Sequence, residues 1–133
     1  MKILVLEDNE YRIKTFRKIF NKVAQPTLFF VDNVKNAKEI YKKFKPFDFI
    51  FLDHDLDNRI MVNSKEENTG YQFVKYIIKD QPKGEIIVHS LNVVGANRMV
   101  KEFHMNGIEC KYIPFYFLEE SILGKKYEAS RSK

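Results

Sequence analysis

Five short apolar runs punctuate the chain: KILVL (2–6), TLFFV (27–31), FDFIFL (47–52), EIIVHS (85–90) and IECKYI (108–113). Each is rich in β-branched or aromatic residues and too short for a buried helix, so each reads as a strand. The stretches between them carry apolar residues at helical spacing. After the first run come Ile13, Phe16, Ile19, Phe20 and Val23, continuing to Ala24 and stopped at Gln25-Pro26. After the second come Val34, Ala37, Ile40, Tyr41 and Phe44, stopped at Lys45-Pro46. Tyr71, Val74, Ile77 and Ile78 follow the third run, and Ala96, Met99, Val100 and Phe103 the fourth. FYFLEESIL predicts a short closing helix. Asp8 or Asn9, Asp32 or Asn33, and Asn92 stand where helix N-caps belong. This alternation leaves an α/β fold as the natural solution: a doubly wound, five-stranded parallel sheet of flavodoxin type, helices on both faces. Right-handed crossovers favour the strand order 2-1-3-4-5. One α/β domain over 1–123 and a basic tail over 124–133 are expected, because 133 residues suit a single core.

The third run ends oddly. FIFLDHDLD (49–57) passes from core residues into Asp53, His54, Asp55 and Asp57. In an open parallel sheet ligands bind beyond the carboxyl ends of the strands, where the strand order reverses. That point lies between strands one and three. Strand one ends in Glu7-Asp8, strand three in Asp53-His54-Asp55, and strand four in His89-Ser90. Carboxylates this close raise each other's pKa unless a cation intervenes. A divalent metal is the simplest neutraliser, with Asp8, Asp53 and Asp55 the first ligands to consider and Glu7 behind them. Oxygen ligands favour magnesium or manganese; mixed His and Asp ligation shifts preference toward manganese or zinc. The polar connection from His54 to Asn68 is longer than usual and points to function.

Composition narrows the classes. No stretch approaches the length of a membrane span, and a lone cysteine, Cys110, makes no internal disulfide and no metal-ligand spacing. A cytoplasmic protein is the expectation. The net charge of +5 suits an anionic ligand, but Arg12, Lys14, Arg17, Lys18 and Lys22 sit between apolar helix positions and read first as a solvated helix face. There is no DNA-binding motif.

At the strand ends the sequence resembles a bacterial response-regulator receiver domain. LEDN matches its acidic pair, FIFLDHDL its phosphoacceptor strand with Asp53 as acceptor, IIVHS its hydroxyl residue at Ser90, and YIPF the end of its last strand. The receiver lysine before that proline is replaced by Ile113, and receivers have no need of His54 or His89. LDHDL (52–56), TGYQFV (69–74) and HSLNVVGANRM (89–99) are more similar to a divergent group, the cyclic-phosphate-processing receiver domain. That resemblance implies a phosphate-ester enzyme of phage, RNA-repair or conflict settings, working in the host cytoplasm if phage-encoded, with a cyclic-phosphate nucleotide or RNA end as its partner.

Opening a cyclic phosphate needs an attacking water, a general base, a general acid and donors for the phosphoryl oxygens. His54 and His89 are the acid–base candidates, either in either role, with Asp53 orienting a histidine or holding metal. Ser90, Asn92, Arg98 and Thr69 are candidate substrate contacts. Asn92 reads equally as a cap, Gly95 as a packing glycine, Thr69-Gly70 as a helix start and Met99 as core. His104 stands near a helix end, where imidazolium suits the dipole. Two other readings stay open: a module that binds the nucleotide without turnover, and a stand-alone receiver phosphorylated on Asp53.

Overall fold

The computed structural model describes residues 1–22, 26–56 and 59–122. Val23, Ala24 and Gln25, expected at the end of the first helix, lie outside the described residues, as do Asp57 and the tail at 124–133. Five strands, β1 (Lys2–Leu6), β2 (Thr27–Val31), β3 (Phe49–Leu52), β4 (Glu85–Val88) and β5 (Lys111–Tyr112), form one parallel sheet in the order β2-β1-β3-β4-β5. Between them run α1 (Glu10–Phe20), α2 (Val34–Phe44), α3 (Gly70–Ile77) and α4 (Val93–Met105), and a 3₁₀ turn at Phe115–Phe117 leads into α5 (Leu118–Ile122). This is the flavodoxin-like receiver fold.

The caps fall where short polar side chains precede the helices. Asn9, Asn33 and Asn92 each accept a backbone N–H three residues on. β5 is shorter than its apolar run, because Ile108 and Cys110 are buried before the paired residues begin. The expected third strand loses Phe47 and Asp48, although Phe47 remains in the core.

Alternation along the strands divides the core into two layers. Leu4, Leu6, Ile50, Leu52, Ile86 and Val88 face α2, α3 and α4, where they meet Val34, Ala37, Phe73, Val74 and Met99. Ile3, Val5, Phe49, Phe51 and Ile87 face α1 and α5, meeting Phe16, Ile19, Phe20 and Leu118. Leu6 pairs in register with Leu52, and Leu52 with Val88. One step beyond this row the three chains deliver Glu7, Asp53 and His89, all with the parity of the α1/α5 layer. His54, next in line, has the parity of the other. No helix among the described residues is long and apolar enough to cross a membrane.

Candidate active site at the sheet rim

Glu7, Asp53 and His89 meet as parity requires. All are buried, and each offers one ligand atom within 4.8 Å of the others. His89 Nε2 lies 2.8 Å from Glu7 Oε1. The imidazole is wedged edge-on against Phe16, with Phe115 beyond. Glu7 Oε2 accepts the amides of Asp8 and Asn9, and Asp53 Oδ1 accepts the amide of His54. Arg12, from the first turn of α1, covers the group: its Nε is 3.1 Å from Glu7 Oε1 and its Nη2 3.7 Å from Asp53 Oδ2. Its guanidinium also lies over the Phe115 ring, 5.8 Å from the centroid. The Arg12 side chain is 21% exposed, against 0% for Glu7 and 3% for Asp53, so it forms the solvent side of the site.

The electrostatics split the two carboxyls. Burial, reinforced by the charge of Glu7, pushes Asp53 well above the ordinary aspartate range; Arg12, the His54 amide and the Ser90 hydroxyl only soften this. Burial pulls Glu7 upward too, but the hydrogen bond and charge of His89, with Arg12, outweigh it and hold Glu7 below its usual value. The two carboxyls are thus driven apart, Glu7 toward its ionised form and Asp53 toward its protonated one. Asp53 Oδ2 and His89 Nδ1 are buried with no hydrogen-bond partner. Buried polar atoms are nearly always satisfied, so orphans inside a cluster of ligand atoms mark a place for a missing group. A divalent cation fits the test: two carboxylate oxygens and an imidazole nitrogen converge, and a bound cation would offset the burial and the Glu7 charge that raise Asp53.

The chain matches the family model for the cyclic-phosphate processing Receiver domain (cREC_REC) over residues 2–105. It belongs to this family. No curated protein matches this sequence. Among solved structures it is similar to the response regulator domain of Thermotoga maritima CheB (22% identity, 98% of this chain and 96% of that one covered, TM-score 0.67). It is also similar to the Mn(2+)-bound form of the response regulator Rcp1 (13%, 99% and 96%, 0.70) and to the non-phosphorylated receiver domain of the stress response regulator RcsB from Escherichia coli (13%, 100% and 95%, 0.68). At these identities the likeness is one of fold.

Against this geometry the residues expected from sequence divide into two groups. Ser90, whose hydroxyl bears on Asp53 and also accepts the Asn92 amide, stays with the rim site. His54 does not join His89. It is fully buried on the α3/α4 face, its Nδ1 2.7 Å from Asp55 Oδ1 and its Nε2 2.7 Å from Ser64 Oγ. Glu7, ranked behind Asp8, is the strand-one residue in the cluster, and neither Asp8 nor Asp55 belongs to it. Asp55 instead accepts the Met61 and Val62 amides and the Asn92 side chain. Burial raises the Asp55 carboxyl, but the Asn92 and His54 hydrogen bonds and those two amides hold it below its usual value. Asn92 caps α4 through the Gly95 amide while reaching Asp55, so the cap fastens the loop. Gly95 is required by packing: a Cβ there would lie 2.4 Å from His54 Cγ. Thr69 is buried and donates its hydroxyl to the Ser64 and Glu66 carbonyls. Arg98 stands exposed on α4, lining a cleft against α3.

Arg12 and Ser64 are the members that sequence reading missed. Arg12 precedes the core residue Phe16 by four positions, which puts both on one helix face; that was the available signal. Ser64 lies in a loop, where no periodicity applies. Ile113, standing where receivers keep a lysine, packs against the α1/α5 core.

Proposed function

We propose that the rim site of Glu7, Asp53, His89 and Arg12 binds a divalent ion and opens a cyclic phosphate, on an RNA end or a nucleotide. The observation that carries this reading is the pair of orphaned buried atoms, Asp53 Oδ2 and His89 Nδ1, within a cluster of converging ligand atoms. Glu7 and Asp53 would hold the ion. Bound there, it supplies Lewis-acid polarisation of the phosphoryl group and balances its charge. The relative solved with Mn(2+) supports a metal on this fold.

The chain's own groups take the remaining roles. Arg12, the one partly exposed member, orients the phosphoryl oxygens, and the Ser90 hydroxyl donates to them. Glu7 pairs with His89 Nε2, which orients the ring and leaves Nδ1 as the atom that exchanges a proton with the attacking water or the leaving oxygen. Phe16 and Phe115 hold the ring in place.

A second reading rests on Arg12. Its approach to Asp53 supplies a cation where receivers use the lysine replaced here by Ile113, so Asp53 could accept a phosphoryl group with Arg12 as its counter-charge. One set of assays separates the two. Purified protein with Mg²⁺ or Mn²⁺ is incubated with 2′,3′-cyclic mononucleotides and cyclic-phosphate-ended RNA, and products are read by mass spectrometry. The esterase reading expects metal-dependent product that falls about a hundredfold or more in His89→Ala. No turnover, together with a stable beryllofluoride adduct at Asp53, would replace it with the receiver reading. No turnover with ligand bound intact would make the domain a nucleotide-binding module.

A further inference from the structure

The α3/α4 face of the rim carries a constellation that the proposed chemistry does not use. Asp55 Oδ1, His54 Nδ1, His54 Nε2 and Ser64 Oγ follow one another at 2.7 Å and 2.7 Å. Asp55 is fixed at the head of this line by the Met61 and Val62 amides and by Asn92 Nδ2, 3.0 Å from Oδ1. The ring is pressed on Gly95, and its own backbone is tied by the Gly70 amide to its carbonyl.

The proton positions follow. Asp55 accepts from the Met61 and Val62 amides and from Asn92, so its Oδ1 faces His54 as an acceptor and the imidazole presents N–H at Nδ1, although Asn92 Nδ2 also lies 3.3 Å away. Nε2 is then an acceptor, and the Ser64 hydroxyl donates to it. With its proton committed, Ser64 Oγ offers only lone pairs. That is the arrangement of an activated nucleophile: a hydroxyl, a base that takes its proton, and a carboxylate that orients and stabilises the base. An anion-binding hydroxyl would need the opposite polarity.

Ser64 also lines a cleft between α3 and α4 with a volume of about 640 Å³. Lys65, Lys75, Arg98 and Lys101 line the same cleft, and none of the four forms an ion pair among the described residues. Its acid, Glu102, accepts the Tyr71 hydroxyl. Such a cleft draws multiply charged anions.

We propose that Ser64 is a second reactive centre, a nucleophilic serine driven by His54 and Asp55 and supplied with phosphate esters through the α3/α4 cleft. In the step, the Ser64 Oγ–P bond forms while the bond from phosphorus to the leaving oxygen breaks. The Ser64 proton passes to His54 Nε2 and from there to the leaving oxygen. Water then cleaves the Oγ–P bond by the reverse proton path, restoring the hydroxyl. Two backbone ties join the centre to the rim site and no side chain is shared: the His54 amide donates to Asp53 Oδ1, and the amide of Asn92, which holds Asp55, donates to Ser90 Oγ.

The test uses the full chain and an alkyl fluorophosphonate, whose phosphorus takes a serine oxygen and releases fluoride. Intact mass and peptide mapping should find one adduct, on Ser64, absent in Ser64→Ala and retained in His89→Ala. His54→Gln should slow labelling about a hundredfold, the usual contribution of a positioned base. Arg98→Ala and Lys101→Ala remove two of the cleft's cations and should weaken protection by inorganic pyrophosphate at least about tenfold. A folded chain that takes no label on Ser64, or labelling that pyrophosphate never slows in the unaltered chain, would overturn the proposal and make the line of hydrogen bonds a staple for the 54–69 loop.

Discussion

The two faces of the sheet's carboxyl rim solve the same problem in opposite ways. Each buries carboxylate and imidazole where strands leave the core. On the α3/α4 face every ring nitrogen of His54 has a partner, and Asp55 takes hydrogen bonds from loop amides and Asn92. On the α1/α5 face three buried atoms, Arg12 Nε, Asp53 Oδ2 and His89 Nδ1, have no hydrogen-bond partner, and one carboxyl is driven out of its ordinary range. A satisfied polar network holds a loop in one place, whereas an unsatisfied one keeps free energy in hand for a ligand.

The comparison is broken most severely by closing the space on the satisfied face. A Cβ at Gly70 would stand 1.8 Å from the Asp53 carbonyl oxygen, against backbone that cannot yield. Gly70→Ala is expected to cost at least about 4 kcal/mol by chemical denaturation, at the extreme of single substitutions. Gly95→Ala, which meets the His54 ring, should cost about 2–3 kcal/mol. Next in size, His54→Ala is expected to lose about 3 kcal/mol, since it strips partners from half-buried Asp55 and buried Ser64. His89→Ala should lose less than half of that, because one ring nitrogen gains nothing from the fold. Equal losses at both histidines would erase the contrast.

Asp53→Asn sharpens the contrast from the other side. The folded-state pKa of Asp53 is raised, so its contribution to stability is fully present below the ordinary aspartate range and is lost as pH rises toward the folded value. The metal-free variant should therefore melt above the unaltered protein at neutral pH, the gap closing in acid. Glu7 has the opposite sign: its depressed pKa contributes stability above the ordinary glutamate range that is lost as pH falls. Glu7→Gln should thus destabilise at neutral pH. Arg12→Ala takes a partly exposed guanidinium from buried Glu7 and is expected to cost about 2 kcal/mol in thermal melts, with a larger loss in phosphate affinity.

Much of this was legible in the residues. The five alternations dictate the sheet, and the Asn caps locate three helix starts. Strand parity was also on the page: Glu7 shares the face of Ile3 and Val5, Asp53 that of Phe49 and Phe51, and His89 that of Ile87. Followed one residue past the last pair, it selects Glu7 over Asp8 and separates His54 from His89. What sequence cannot carry is the course of the 54–68 loop. Asp55 leaves the strand's alternation to form an isolated bridge with Thr69, and Ser64 reaches His54 by a loop closure that no periodicity encodes. Arg12 looked like a solvated helix residue because its neighbours Lys14 and Lys18 are exposed; only the position of α1 over the rim turns it inward.

The proposed divalent-ion site on the unsatisfied face sets the ion in competition with protons for Asp53, whose hold on them burial strengthens. It is tested most directly by calorimetric titration of Mn²⁺ into the metal-free chain in two buffers of different ionisation enthalpy, across pH 5 to 8. Binding should tighten as pH rises, release protons, and disappear in Asp53→Asn. Binding that is pH-independent, or unchanged in that variant, would contradict it.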